Sequence, residues 1–107
     1  PWLPCATMSA SRANVEKLVA SSKVVIFSKT TCGYCTRAKQ LLTELNSSFR
    51  AVELDREAEG ASMQQALAEI TGRRTVPNIF INGTSVGGCD EITRMHSEGL
   101  LEKELSN

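Results

Sequence analysis

The chain has 107 residues, with 12 basic and 12 acidic side chains and a net charge of zero. That length fits one domain with a real core, and the charge balance speaks against nucleic acid or an anionic membrane surface as the main partner. Aromatic residues make up 5%, too few for base-stacking platforms, and no apolar stretch approaches the roughly 18 residues of a membrane span or forms a secretory leader core.

Residues 1–8 have no periodicity and are expected to be a disordered or appended tail, with Met8 a candidate start and the domain running from 9 to 107. A first helix is predicted over Ser9 to Ala20, with Val15, Leu18 and Val19 on one face and Ser9 or Ser11 as its cap. The apolar run Val24-Val25-Ile26-Phe27 has the length and β-branched content of a buried strand. Cys32-Gly33-Tyr34-Cys35 follows, and Ala38, Leu41, Leu42 and Leu45 then fall at helical spacing, so a helix runs from Gly33 to Leu45. Asn46-Ser47-Ser48 breaks it, and Phe49 to Leu54 reads as a second strand. After a polar loop from Asp55 to Gly60, a third helix spans Ser62 to Thr71, with Gly72 as its C-terminal cap. Val76 to Ile81 is a third strand, and Asn82-Gly83 is a strong hairpin signal into a short fourth strand around Ser85-Val86. A last helix opens at Asp90-Glu91 and divides at Gly99. Helix-linked strands should be parallel and the hairpin antiparallel, which gives an α/β fold: a four-stranded mixed sheet with helices on both faces, the architecture of the thioredoxin fold.

The cysteine pair sits at a strand-to-helix junction. Amides at a helix N-terminus stabilise an anion, so Cys32 is predicted to have a lowered pKa and to act as nucleophile. Cys35, one turn on, is near enough to attack a mixed disulfide formed on Cys32. A structural pair or half a zinc site is the bland alternative. Zinc needs about four ligands, and Cys5, Cys89 and His96 are the other candidates. Two more segments stand near the predicted site. Thr75-Val76-Pro77 reads equally as a strand-entry proline or as a cis turn that frees a backbone edge. Gly87-Gly88-Cys89-Asp90 is either a tight turn with an N-capping Asp or a place where N–H groups and a carboxylate meet a ligand. Lys29, Arg37, Arg73 and Arg74 are candidate cations around the thiol. Cys89 is read mainly as a small residue fitting beside Gly88, Cys5 as exposed, and His96 as a surface residue without a role.

Together, Cys32-Gly33-Tyr34-Cys35, Thr75-Val76-Pro77 and Gly87-Gly88-Cys89-Asp90 resemble the glutaredoxin family over about Val15 to Leu105, in the flavour of animal dithiol cytosolic and mitochondrial forms. The resemblance implies a glutathione-dependent thiol–disulfide oxidoreductase that reduces protein–glutathione mixed disulfides and protein disulfides. Cys32 would be the attacking and Cys35 the resolving cysteine. Tyr34 would flank glutathione, and Lys29 and Gln64 would hold its glycine carboxylate. Thr75, Val76 and a cis Pro77 would meet its backbone, and Gly88, Cys89 and Asp90 its γ-glutamyl end. Glutathione would be co-substrate, and glutathionylated or disulfide-containing proteins the partners. The family's commonest residue at the second motif position is Pro, and here it is Gly33. Some forms without that proline bind a [2Fe-2S] cluster between two subunits, through the first cysteine of each and two glutathiones. Gly33 therefore keeps open a cluster-bridged homodimer, with Cys32 as metal ligand, beside the monomeric enzyme. Cysteine usage suits a reducing compartment, cytoplasmic, or mitochondrial if a presequence was removed.

Overall fold

A computed structural model describes the backbone of residues 3–106 and the side-chain surroundings of residues 12–106. The elements are α1 (Leu3–Ser21), β1 (Val24–Ser28), α2 (Gly33–Glu44), β2 (Arg50–Glu53), α3 (Gly60–Thr71), β3 (Asn78–Ile81), β4 (Thr84–Gly87), α4 (Cys89–Ser97) and α5 (Leu100–Ser106). They form one four-stranded sheet in the order β2-β1-β3-β4. β1 pairs with β2 in parallel and with β3 antiparallel, and β3 pairs antiparallel with β4.

β1 is buried at all five positions because it lies inside the sheet with both faces covered. Its alternating side chains divide the core in two. Val25 and Phe27 join Val15, Met63, Leu67 and Phe80 on the side of α1 and α3. Val24 and Ile26 join Ala38, Leu42, Ile79, Ile92 and Leu101 on the side of α2, α4 and α5. The rings of Phe27 and Phe80 meet edge to face, with centroids 5.8 Å apart.

The predicted elements are all present, with shifted edges. α1 begins at Leu3 rather than Ser9, so Ser9 and Ser11 lie inside it rather than at its start. Pro4 is tolerated in a first turn, and nothing in the sequence between it and Ser9 breaks a helix. The expected exposure of Cys5 lies outside the residues whose side chains are described. β3 begins at Asn78, not Val76, because Pro77 has no N–H for a ladder and its peptide with Val76 is cis. α3 begins two residues early, at Gly60, and ends on Gly72 as expected. Asn82 and Gly83 have φ of 53° and 81°, the left-handed pair that a tight hairpin between β3 and β4 requires. Gly99 separates α4 from α5.

Candidate functional site

The β1–α2 junction presents Cys32 in extended conformation, φ −92° and ψ 120°, just ahead of the first turn of α2. Its N–H donates to the Lys29 carbonyl at 3.1 Å. Its Sγ accepts the Cys35 N–H at 3.3 Å and so caps the helix. Burial pushes the Cys32 thiol up, but the Cys35 thiol, the amides of Cys35 and Tyr34, and the Lys39 ammonium outweigh it and leave the pKa below the ordinary 9.0. Cys35 is fully buried, and burial first, then the neighbouring Cys32, pushes its thiol up to about 12. One cysteine is thus prepared to be a thiolate and the other to stay protonated beside it.

The cation that bears on this thiol is Lys39, which the sequence reading did not name. Lys39 Nζ donates to Glu53 Oε2 at 2.5 Å, and the other oxygen of Glu53 accepts the buried Ser28 hydroxyl at 2.7 Å. Helical spacing from Cys32 was the available signal, since Lys39 lies two turns along α2. Among the expected cations, Arg37 instead stacks over the exposed Tyr34 ring, 5.6 Å from its centroid. Lys29 is half-buried and meets Cys32 through its backbone. The loop between them is fixed by Asp55, whose carboxylate accepts the Thr30 hydroxyl at 2.5 Å and the Thr30 N–H at 3.1 Å.

Two further segments converge on the thiol. The Val76 carbonyl oxygen lies 3.9 Å from Cys32 Sγ, and the Val76–Pro77 peptide is cis, so the turn reading of that proline holds. Thr75 beside it is exposed. Gln64 Nε2 donates to the Arg74 carbonyl at 2.8 Å, and both residues line a cavity of about 640 Å³ against α3. At the start of α4, Gly88 is the cap residue, and its N–H is taken by Glu91 Oε1 at 2.9 Å. Asp90 is exposed in the first turn and does not cap, so the expected N-capping Asp is replaced by Glu91. A glutamate three residues after the cap was the signal for it. Cys89 is 8% exposed and packs with the α2–α4 core, its Sγ 4.0 Å from Thr93 Oγ1, which agrees with the bland reading. The exposed His96 contacts Glu102 across the α4–α5 break at 2.6 Å. Cys32, Cys35, Val76 and Pro77 are therefore one cluster, joined to Gly88 through Arg73, whose Nε donates to the Pro77 carbonyl at 3.4 Å.

The glutaredoxin family model matches residues 24–86, more than half of the chain, and that segment carries the cysteine pair and the cis-proline turn. The chain belongs to the glutaredoxin family. It is 57% identical to a glutaredoxin of Vernicia fordii over 86 residues, covering 80% of this chain and 83% of that protein. It is 47% identical to mitochondrial glutaredoxin-2 of Bos taurus over 87 residues, covering 81% of this chain and 55% of that one. The likeness thus extends to plant forms, at higher identity than to this animal form. The buckwheat glutaredoxin–glutathione complex superimposes with a TM-score of 0.92 at 42% identity, covering 94% of this chain and 92% of that one. The holo form of glutaredoxin C1 from poplar (Populus tremula x tremuloides) superimposes with a TM-score of 0.91 at 46% identity, covering 92% and 89%. The fold is accordingly the thioredoxin fold, and the Cys32–Cys35 spacing is that of a dithiol glutaredoxin. Thiol–disulfide exchange is the chemistry of the family and of this site.

Proposed function

We propose that this glutaredoxin uses glutathione to reduce protein–glutathione mixed disulfides and protein disulfides. The observation that carries the proposal is the division of labour between Cys32, lowered and at a helix start, and Cys35, buried and pushed up to about 12. Cys32 thiolate attacks the glutathionyl sulfur. A Cys32–glutathione disulfide forms, the protein–glutathione bond breaks, and the protein thiolate leaves and takes a proton. A second glutathione thiolate then attacks the glutathionyl sulfur, frees Cys32 and departs as glutathione disulfide. With a protein disulfide, Cys35 loses its proton and closes onto Cys32, and two glutathiones reduce the pair.

For the tripeptide, the proposed contacts are the Lys29 and Gln64 side chains on the glycine carboxylate, Tyr34 along one flank, and the Thr75-Val76-Pro77 backbone on the cysteine residue. Gly88, Cys89 and Asp90 take the γ-glutamyl end. The chemistry matches: glutathione offers two carboxylates, an ammonium and an extended backbone. The glutathione complex of the buckwheat relative supports the reading. Cys32→Ser is expected to abolish turnover of both substrate kinds. Cys35→Ser should keep deglutathionylation of a glutathionylated peptide and lose dithiol reduction; equal loss of both would overturn the assigned roles. The proposed compartment is the cytoplasm, with the mitochondrion as alternative, because the cycle needs reduced thiols. Recovery of the protein with secretory membranes on fractionation would overturn that.

A second reading is favoured by one observation: a Cβ built on Gly33, the residue that follows Cys32, meets nothing within 4 Å, so there is open space beside the thiol. A [2Fe-2S] cluster needs four thiolates. Among the described residues, no group of three or more His, Cys, Asp and Glu comes together to hold a metal. In this reading Cys32 of each of two copies and the thiols of two glutathiones would be the four ligands. Such a cluster would give the protein a storage, transfer or sensing role. A coloured dimer from anaerobic purification with glutathione, containing iron and sulfide and lost in Cys32→Ser, is the expected result; a colourless monomer after reconstitution would overturn it.

A further inference from the structure

Arg73 leaves the thiol to other cations and does something else. Its Nε donates to the Pro77 carbonyl at 3.4 Å, and its Nη2 lies 3.5 Å from Glu91 Oε1. That same oxygen accepts the Gly88 N–H at 2.9 Å. A Cβ built on Gly88 would sit 2.3 Å from Arg73 Nη2, and 3.0 Å from both Arg73 Cζ and the Pro77 oxygen. The guanidinium thus occupies the gap between the cis-proline turn and the start of α4. Its own backbone is held too: the Arg73 N–H donates to Thr71 Oγ1 at 3.1 Å, and the Asn78 amide donates to the same hydroxyl at 3.2 Å.

The gap needs a spacer. The β3–β4 ladder reaches Ile79↔Gly87 after a register irregularity and goes no further. Beyond it, no ladder hydrogen bond sets the distance from Pro77 to Gly88. A planar guanidinium with donors in several directions can bridge a carbonyl and a carboxylate at once, which an ammonium does less well.

We propose that Arg73 is a positioning residue that holds the cis-proline turn and the Gly88 turn at the separation in which together they receive glutathione, and that position 88 is glycine to admit its guanidinium. The inference rests on the glutathione reading above, because both turns are assigned there to the tripeptide. It makes Glu91 the second half of the spacer, since one carboxylate oxygen serves both Arg73 and the Gly88 amide.

The test compares Arg73→Ala, Arg73→Lys and Glu91→Gln with the unaltered protein, using two readouts. In the reduced protein without glutathione, Arg73→Ala should speed hydrogen exchange at the Gly88 amide about tenfold, with the amides of β1 unchanged. With a glutathionylated peptide as substrate, KM should rise about fivefold while kcat stays within about twofold. Arg73→Lys should recover part of both effects, and adding Glu91→Gln to Arg73→Ala should add little. Unchanged Gly88 exchange overturns the spacer. Unchanged KM, or an equal fall in kcat and kcat/KM, overturns its role in binding. Absence of turnover by the unaltered protein would instead sink the glutathione reading and with it the binding role, while Gly88 exchange would still decide whether Arg73 holds the turn.

Discussion

Cys32 and Cys35 carry the same functional group three residues apart, and their surroundings drive them in opposite directions. Amides and Lys39 favour the thiolate at Cys32, whereas burial with an adjoining thiol opposes it at Cys35. Alkylation of the reduced protein should therefore show an inflection below 9.0 from Cys32, and Cys35 should resist the reagent until about pH 12. Mass-mapped iodoacetamide kinetics over pH check this, and equal labelling of both at neutral pH would refute it. Two carboxylates act on stability in the opposite pH range. Glu91 is held below its ordinary 4.5, first by the Gly88 N–H, with Arg73 and Arg94 adding to it. Asp55 is held below 3.8, first by the Thr30 hydroxyl and then by its N–H. Both folded pKa values are lowered, so their stabilisation is complete above the ordinary carboxylate range and is lost as the pH falls through the folded values. Tm should drop on acidification from about pH 5 to pH 3, and Glu91→Gln should flatten part of that slope.

At the scale of elements, two glycines make contrasting cases. Gly60 opens α3 directly under the end of β2, and a Cβ there would lie 1.8 Å from the Leu54 carbonyl oxygen. Backbone cannot step aside as a side chain does, so Gly60→Ala should cost about 3 kcal/mol or more, read from urea midpoints at constant slope. Gly33 is the first residue of α2, and a Cβ there meets nothing within 4 Å. A proline suits that position, because its fixed φ matches the helix and no intrahelical bond needs its N–H. Gly33→Pro should stabilise the protein by about 0.5–1 kcal/mol. It should also close the turn that the cluster reading needs open, so cluster capture should fall while reductase turnover remains.

Across the whole molecule, the sheet separates two apolar clusters, and α5 closes the one behind the site. Leu101 is fully buried in it. α5 is tied back to the sheet by Lys23 Nζ on the Leu105 carbonyl and by the Asn82 amide on the Glu104 carbonyl at 3.3 Å. Truncation after Gly99 uncovers Ile92 and removes Leu101, each a large side chain with no exposure. The expected loss is about 3 kcal/mol or more of unfolding free energy. An unchanged denaturation midpoint would show that α5 is dispensable.

The chain by itself determined whatever depends on neighbours in sequence. A two-residue gap between cysteines at a strand-to-helix junction, a 3.6-residue stripe from Ala38 to Leu45, and an Asn82-Gly83 turn each follow from local backbone geometry, and they were legible with the fold. The edges were less so: Pro77 delays β3, and α1 runs back to Leu3, because strand and helix ends are decided by which backbone groups find partners. Tertiary structure alone decided where the charges go. Lys39 rather than Lys29 or Arg37 bears on the thiol because Glu53, on the neighbouring strand, and the buried Ser28 hold it there. Arg73 lies against Gly88 and Glu91 through contacts between segments the hairpin brings together, whereas the bond from the Gly88 amide to Glu91 is local, three residues apart. Long polar side chains swing through several ångströms, and no periodicity records their partners. Their positions are set only when the packed backbone supplies the carbonyls and carboxylates that hold them.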